Sequence, residues 1–274
     1  MGRDALDAAY NNARAFPDSA DFLSRWDAES AAARQRIAAS AGFRVEIDIR
    51  YAAAERARLD LFLRPETGCP TLIFLHGGYW HLNDKERFSF VAHGPLSAGL
   101  NVVIPSYPLA PAASMDEIVA AARDAVRWVV ANIGAHGGDP QRIGLAGWSA
   151  GGHLAACAMG EPGIRYGLAI SGLYDLEPVR LSYLNEILAL SSDEAQRNSP
   201  LWHLPDRAGH LTIGMGADEL PEFRRQGGAY HAAWRNAGLG GAQQIVPGRH
   251  HFAVLDELAR PDGAFVGTLG RWTW

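Results

Sequence analysis

The chain has 274 residues, 48% of them hydrophobic, and a formal net charge of −5. That length and apolar content suit one α/β domain with a sizeable core, and the acidic balance without a Lys/Arg run excludes an electrostatic footprint for nucleic acid or an anionic membrane. The acidic start, Met1-Gly2-Arg3-Asp4-Ala5-Leu6-Asp7, lacks a secretory signal's basic region, and no apolar run approaches the ~18 residues of a membrane span. Cys69 and Cys157 are too few for a disulfide framework, so a cytoplasmic protein with reduced thiols is expected.

Residues 1–40 read as a helical N-terminal arm, divided at Phe16-Pro17-Asp18. Phe22, Leu23, Trp26 and Ile37 recur at near-helical spacing, which predicts an apolar stripe packed on the main body. Phe43 to Tyr51 alternates apolar and charged residues and Arg58 to Leu63 does so less strictly, as paired antiparallel strands at a sheet edge would. The runs Thr71 to His76, Leu100 to Pro105, Ile143 to Gly147, Leu168 to Ser171, Leu211 to Gly216 and Gln244 to Val246 then read as strands covered on both faces.

Helical patterns lie between these runs, at Met115 to Ala131, Ser149 to Met159, Glu222 to Ala237 and Phe252 to Arg260. Strand alternating with helix predicts an α/β fold, a mostly parallel sheet with helices on both faces and ligands at the carboxyl ends of its strands. Residues 172–205 interrupt the rhythm with a loop, a short helix and a second loop, and are expected to form a cap insertion over the site.

Gly147-Trp148-Ser149-Ala150-Gly151 fits G-x-S-x-G, in which a serine stands on a sharp strand-to-helix turn with its hydroxyl outward. Glycines flank the serine because the backbones there pass too closely for a Cβ. His76-Gly77-Gly78-Tyr79-Trp80 follows an earlier strand. The N–H groups of Gly77, Gly78 and Ala150 are the expected oxyanion hole, and His76 the brace of its turn.

Three carboxylates follow the seventh run, Asp218, Glu219 and Glu222. Asp218 is the expected acid, because Glu219 and Glu222 approach or enter the helix that Pro221 opens. Of the adjacent His250 and His251, the second stands next to Phe252 and is the expected base. The chain order Ser149, Asp218, His251 is that of α/β-hydrolases and not of trypsin-like or subtilisin-like enzymes. The ten histidines contain no H-E-x-x-H pair and Gly144-Leu145-Ala146-Gly147 lacks dinucleotide or Walker spacing, so no metal and no cofactor are expected.

With these motifs the chain resembles the α/β-hydrolase superfamily and, more narrowly, the arylformamidases or kynurenine formamidases. His76-Gly77-Gly78-Tyr79-Trp80 carries that family's HGG-x-W. Ser106 to Pro111, Gly147 to Leu154, Pro221 to Gln226 and His251-Phe252 support it. The resemblance implies removal of formate from an N-formyl arylamine such as N-formylkynurenine; Tyr79, Trp80, Trp148 and Trp202 are expected either to line the substrate pocket, crowding the acyl side and stacking on the arene, or to be core aromatics. Arg249 and Lys85 are candidates for a substrate carboxylate. A carboxylesterase acting on short-chain or aryl esters and, more remotely, a non-catalytic binding module are the alternatives. The expected partner is a small aromatic molecule, with a homodimer left open, and the segment Gly263 to Trp274 has no functional assignment.

Overall fold

The sheet grows outward from β3 (Cys69–Leu75), whose parallel neighbours are β4 (Asn101–Pro105) on one side and β5 (Gly138–Trp148) on the other. The computed structural model describes residues 2–274. Beyond β4 lie β2 (Arg58–Leu63) and β1 (Arg44–Arg50), both paired antiparallel. Beyond β5 come β6 (Ile164–Ile170), β7 (His210–Gly216) and β8 (Gly241–Val246), all parallel, giving the order β1-β2-β4-β3-β5-β6-β7-β8. The connections leaving β3 and β5 run in opposite directions, so the crevice at their carboxyl ends is the place where such sheets bind ligands.

Three helices form the arm: α1 (Arg3–Tyr10), α2 (Asn12–Ala15) and α3 (Ser19–Ala39). After β3 come a 3₁₀ segment at Lys85–Ala92 and α4 (His93–Ser97); α5 (Met115–Asn132) follows β4 and opens on a Ser114/Glu117 capping box. Helix α6 (Ala150–Ala158) leaves β5 directly. The segment after β6 holds α7 (Glu177–Arg180), α8 (Asn185–Leu188) and α9 (Ser192–Arg197), where the sequence predicts one short helix. Next are α10 (Pro221–Asn236), α11 (Asp256–Ala259) and α12 (Ala264–Leu269). The helix expected at Phe252 to Arg260 is a 3₁₀ turn, Ala253–Leu255, continued by α11.

Alternation along the central strands explains the two helical layers. Ile73, Leu75 and Leu145 join one apolar cluster with residues of α5, α6 and α10, while Leu72, Phe74 and Ala146 join the other with residues of α3, α11 and α12. The arm does not stay on one face. Leu6 and Tyr10 belong to the first cluster and Trp26 and Ile37 to the second, so the chain turns at Pro17 and crosses above the strand ends. The carboxyl-terminal segment packs Trp272 onto Gly144, where a Cβ would strike its ring, and stacks it on Tyr166 at a centroid distance of 5.1 Å. Among the described residues no helix is long and apolar enough to cross a membrane.

Candidate active site

Ser149 stands between β5 and α6 at φ 58° and ψ −120°, a left-handed conformation that costs a non-glycine residue about 1–3 kcal/mol. Its surroundings over-determine it. The Ser149 N–H donates to the Ile170 carbonyl at 2.8 Å, a Cβ on Gly147 would strike the Gly151 carbonyl, and one on Gly151 would strike that of Leu75. The turn therefore requires glycine at both positions, and the serine side chain is forced out at the helix N-terminus.

His251 Nε2 lies 3.0 Å from Ser149 Oγ, and its Nδ1 lies 3.2 Å from Glu219 Oε2. All three residues are buried. An Nδ1–H donated to Glu219 leaves Nε2 free to accept from the serine, the tautomer that general-base chemistry needs. Glu219 Oε1 is held as well, accepting from Ser171 Oγ at 2.5 Å and from the Gly216 N–H at 2.7 Å. The imidazole packs against Trp148 and Phe223, and the Trp148 indole N–H donates to the His251 carbonyl at 2.9 Å.

The acid is where the sequence expectation needs correction: Glu219, not Asp218, reaches the imidazole. Asp218 is exposed and meets the loop that carries His251 through its N–H, which donates to the Arg249 carbonyl at 3.0 Å. The chain turns outward at Ala217-Asp218, so the next side chain points back beneath the strand ends. Leu220 caps α10, which leaves Glu219 in the turn and not in the helix. Pro221 as the first helical residue already carried that signal.

His250 turns away, stacking on Phe16 at 4.6 Å and pairing with Asp18 at 3.2 Å. Opposite Ser149, Gly77 lies where a Cβ would strike the Trp148 ring, and Gly78 has φ 126°. Among the described residues the N–H groups of these two glycines make no hydrogen bond, and Ala150 contributes a free first-turn N–H of α6. His76 lies sandwiched between Tyr107 and Phe88, its Nδ1 2.9 Å from the Gly77 carbonyl.

Burial pushes His76 and His153 down to about 4 from the ordinary 6.5. Both are neutral at pH 7. The unfolded chain gains their protons below about pH 6.5 while the folded chain resists until about pH 4, so stability present above 6.5 is lost as pH falls through that window. The loss is on the order of 3 kcal/mol per histidine. Urea midpoints should therefore fall between pH 7 and pH 4.5, and less steeply in His153→Gln; an unchanged slope in the variant contradicts the assignment.

Ser149 opens into a cavity of about 420 Å³. Trp148, Phe252, Leu82 and Leu23 form its apolar wall, Tyr79 and Asn12 a polar edge, and Leu184 and Ile187 its far side. Comparable hollows of about 500 and 550 Å³ lie near the amino ends of β6 and β7, away from Ser149 and His251.

Of the four expected pocket aromatics, Tyr79 and Trp148 line the cavity. Trp80 does not: it is fully buried and donates its indole N–H to His153 Nδ1 at 3.1 Å. Trp202 does not either, being 62% exposed in a loop past α9. Lys85 is buried beneath Asp60, Asp48 and Glu86, with Nζ 2.6–2.9 Å from each. Burial works against its charge, but these carboxylates more than offset it and hold the pKa above its ordinary value. Arg249 pairs with Glu257 at 2.7 Å, and neither cation faces the cavity.

Sequence reasoning missed Asn12, Leu23, Tyr183 and Arg87 as cavity residues. No motif marks them. The arm reaches the cavity because Tyr79 Oη donates to the Tyr10 carbonyl at 2.5 Å and accepts from Asn12 Nδ2 at 2.9 Å. Tyr10 Oη in turn donates to Glu222 at 3.0 Å. Arg87 pairs with Asp27 at 2.8 Å and donates to Asn83 at 2.5 Å.

Residues 59–161 match the BD-FAE family model. Over 274 aligned positions the chain is 31% identical to a kynurenine formamidase of Danio rerio, spanning 94% of this chain and 92% of the relative. The chain belongs to the kynurenine formamidase family. Formamidases of this family are α/β-hydrolases, and the sheet described above has that architecture. A Silicibacter sp. TM1040 crystal structure, assigned only provisionally as a thioesterase, superposes with a TM-score of 0.85 at 32% identity, covering 96% of this chain and 97% of its own. An esterase of Pyrobaculum calidifontis shares the fold at a TM-score of 0.74 and 20% identity, covering 98% and 95% of the two chains. The protein is a hydrolase of the α/β-hydrolase type.

Proposed function

We propose that the enzyme hydrolyses an N-formyl arylamine, with N-formylkynurenine the favoured substrate, through a formyl-enzyme on Ser149. The observation that carries this reading is the Ser149–His251–Glu219 chain of contacts opening into an aromatic-walled cavity, in a chain related to a formamidase along nearly its whole length. Trp148 packs on Gly77 and crowds the space beside the oxyanion turn, which suits an acyl part as small as formyl. Trp148, Tyr79 and Phe252 supply faces for an arene.

In this reading Ser149 Oγ attacks the formyl carbon as its proton passes to His251 Nε2, and the carbonyl oxygen becomes negative facing the N–H groups of Gly77, Gly78 and Ala150. His251 returns that proton to the arylamine nitrogen as the C–N bond breaks. Water then gives a proton to His251 and attacks the formyl ester; formate leaves as Ser149 recovers its proton. Glu219 holds the imidazole and stabilises its charged form. Cys69 and Cys157, both unpaired, fit a reducing compartment, and we place the enzyme in the cytoplasm.

The same machinery would cleave a small ester, the reading favoured by the fold's likeness to an esterase. Measuring kcat/KM on N-formylkynurenine and on short p-nitrophenyl esters separates the two. The formamide should be preferred; an ester preference of orders of magnitude overturns the formamidase reading.

A further inference from the structure

The tryptophan of HGG-x-W has no place in the cavity, yet it is fully buried at the end of an unusual turn. Gly78, Tyr79, Trp80 and Asn83 have φ values of 126°, 45°, 59° and 74°, so three non-glycine residues are held left-handed within six positions of the chain. Such a turn keeps its shape only where neighbours impose it. The N–H groups of Gly77 and Gly78, at the start of this turn, donate to no other group among the described residues.

The Trp80 indole can only donate, and it donates to His153 Nδ1 at 3.1 Å. Nδ1 must therefore be bare and Nε2 must carry the proton, which it donates to the Asn198 carbonyl at 2.7 Å. The tautomer is fixed from both sides. His153 sits one helical turn past Ser149 on α6, and its own N–H donates to the Ser149 carbonyl at 3.1 Å. Asn198 is anchored in turn, its amide donating to Asp116 at 2.7 Å and to the Glu194 carbonyl at 2.9 Å. One imidazole thus joins the turn after β3, the helix behind the serine, and the carboxyl end of α9.

We propose that the Trp80–His153 hydrogen bond is a positioning latch that sets the Gly77 and Gly78 N–H groups against Ser149. Neither side chain touches substrate. The proposal rests on the reading of Ser149 as nucleophile and is independent of whether a formamide or an ester is cleaved. It explains why a tryptophan four residues after His76 and a histidine four residues after Ser149 serve one purpose.

The test uses Trp80→Phe, which keeps a ring and removes the donor, and His153→Leu, which removes the acceptor. Each should lower kcat about 10- to 100-fold on whichever of N-formylkynurenine and p-nitrophenyl acetate is turned over, with KM changed less than about 3-fold. The double variant should be no slower than the worse single one, and His153→Gln, which can accept from Trp80 and donate to Asn198, should recover most of the loss. Affinity for an aryl boronic acid, whose tetrahedral adduct needs the oxyanion donors, should fall in parallel with kcat, while affinity for the arylamine product should hold. Equal losses in boronate and product affinity, or wild-type kcat in either single variant that folds, overturn the latch. Ser149→Ala run beside them separates the failures: activity there overturns the nucleophile reading, whereas an inactive Ser149→Ala beside a fully active Trp80→Phe overturns the latch alone.

Discussion

Glu219→Gln should fold as the parent does and lose about 10³- to 10⁴-fold in kcat, while Asp218→Asn stays within about 2-fold. The size of the first effect follows from how the carboxylate is held. Ser171 Oγ and the Gly216 N–H both donate to Oε1, so the oxygen of an introduced amide would occupy that position and its NH₂ would face His251 Nδ1. Nδ1 would then have to accept, the ring proton would move to Nε2, and Nε2 could no longer take the proton of Ser149. Asp218 has no such hold, because its side chain is exposed. Steady-state kinetics of the two variants, with circular dichroism to verify folding, checks the pair; a dead Asp218→Asn beside an active Glu219→Gln reverses the assignment.

Ser149→Ala should abolish covalent turnover, lowering kcat by more than about 10³-fold at unchanged stability or slightly above it. Removing the hydroxyl leaves the oxyanion donors and the cavity in place, so ground-state binding persists and KM moves little. Alanine meets the same left-handed φ as serine, so the turn is not further strained. Turnover near that of the parent would show that another group attacks.

Much of this site was legible in the sequence because its parts lie at strand ends, and strand ends were visible as the limits of apolar runs. Ser149 and His251, which meet at 3.0 Å, and Gly77, Gly78 and Ala150 each stand in a short segment of their own, so each was singled out by a local pattern. The acid was not, since the choice among Asp218, Glu219 and Glu222 depends on which way a three-residue turn faces. The arm's share was hidden for a different reason. Asn12 and Leu23 reach the cavity only because α1 and α3 pack on opposite faces of the sheet, a long-range arrangement that helical periodicity cannot express. Trp80 was open in sequence between pocket wall and core, and the choice fell to the core because its partner, His153, is 73 residues away along the chain. The eight strands themselves were all anticipated, the clearest being those buried on both faces.

The most direct measurement is the intact mass and peptide map of the enzyme after reaction with a small aryl fluorophosphonate. One phosphonyl group per chain, carried by Ser149, lost in Ser149→Ala and acquired far more slowly by Glu219→Gln, is the predicted result. An unmodified wild-type chain, or a label on any other residue, would contradict it.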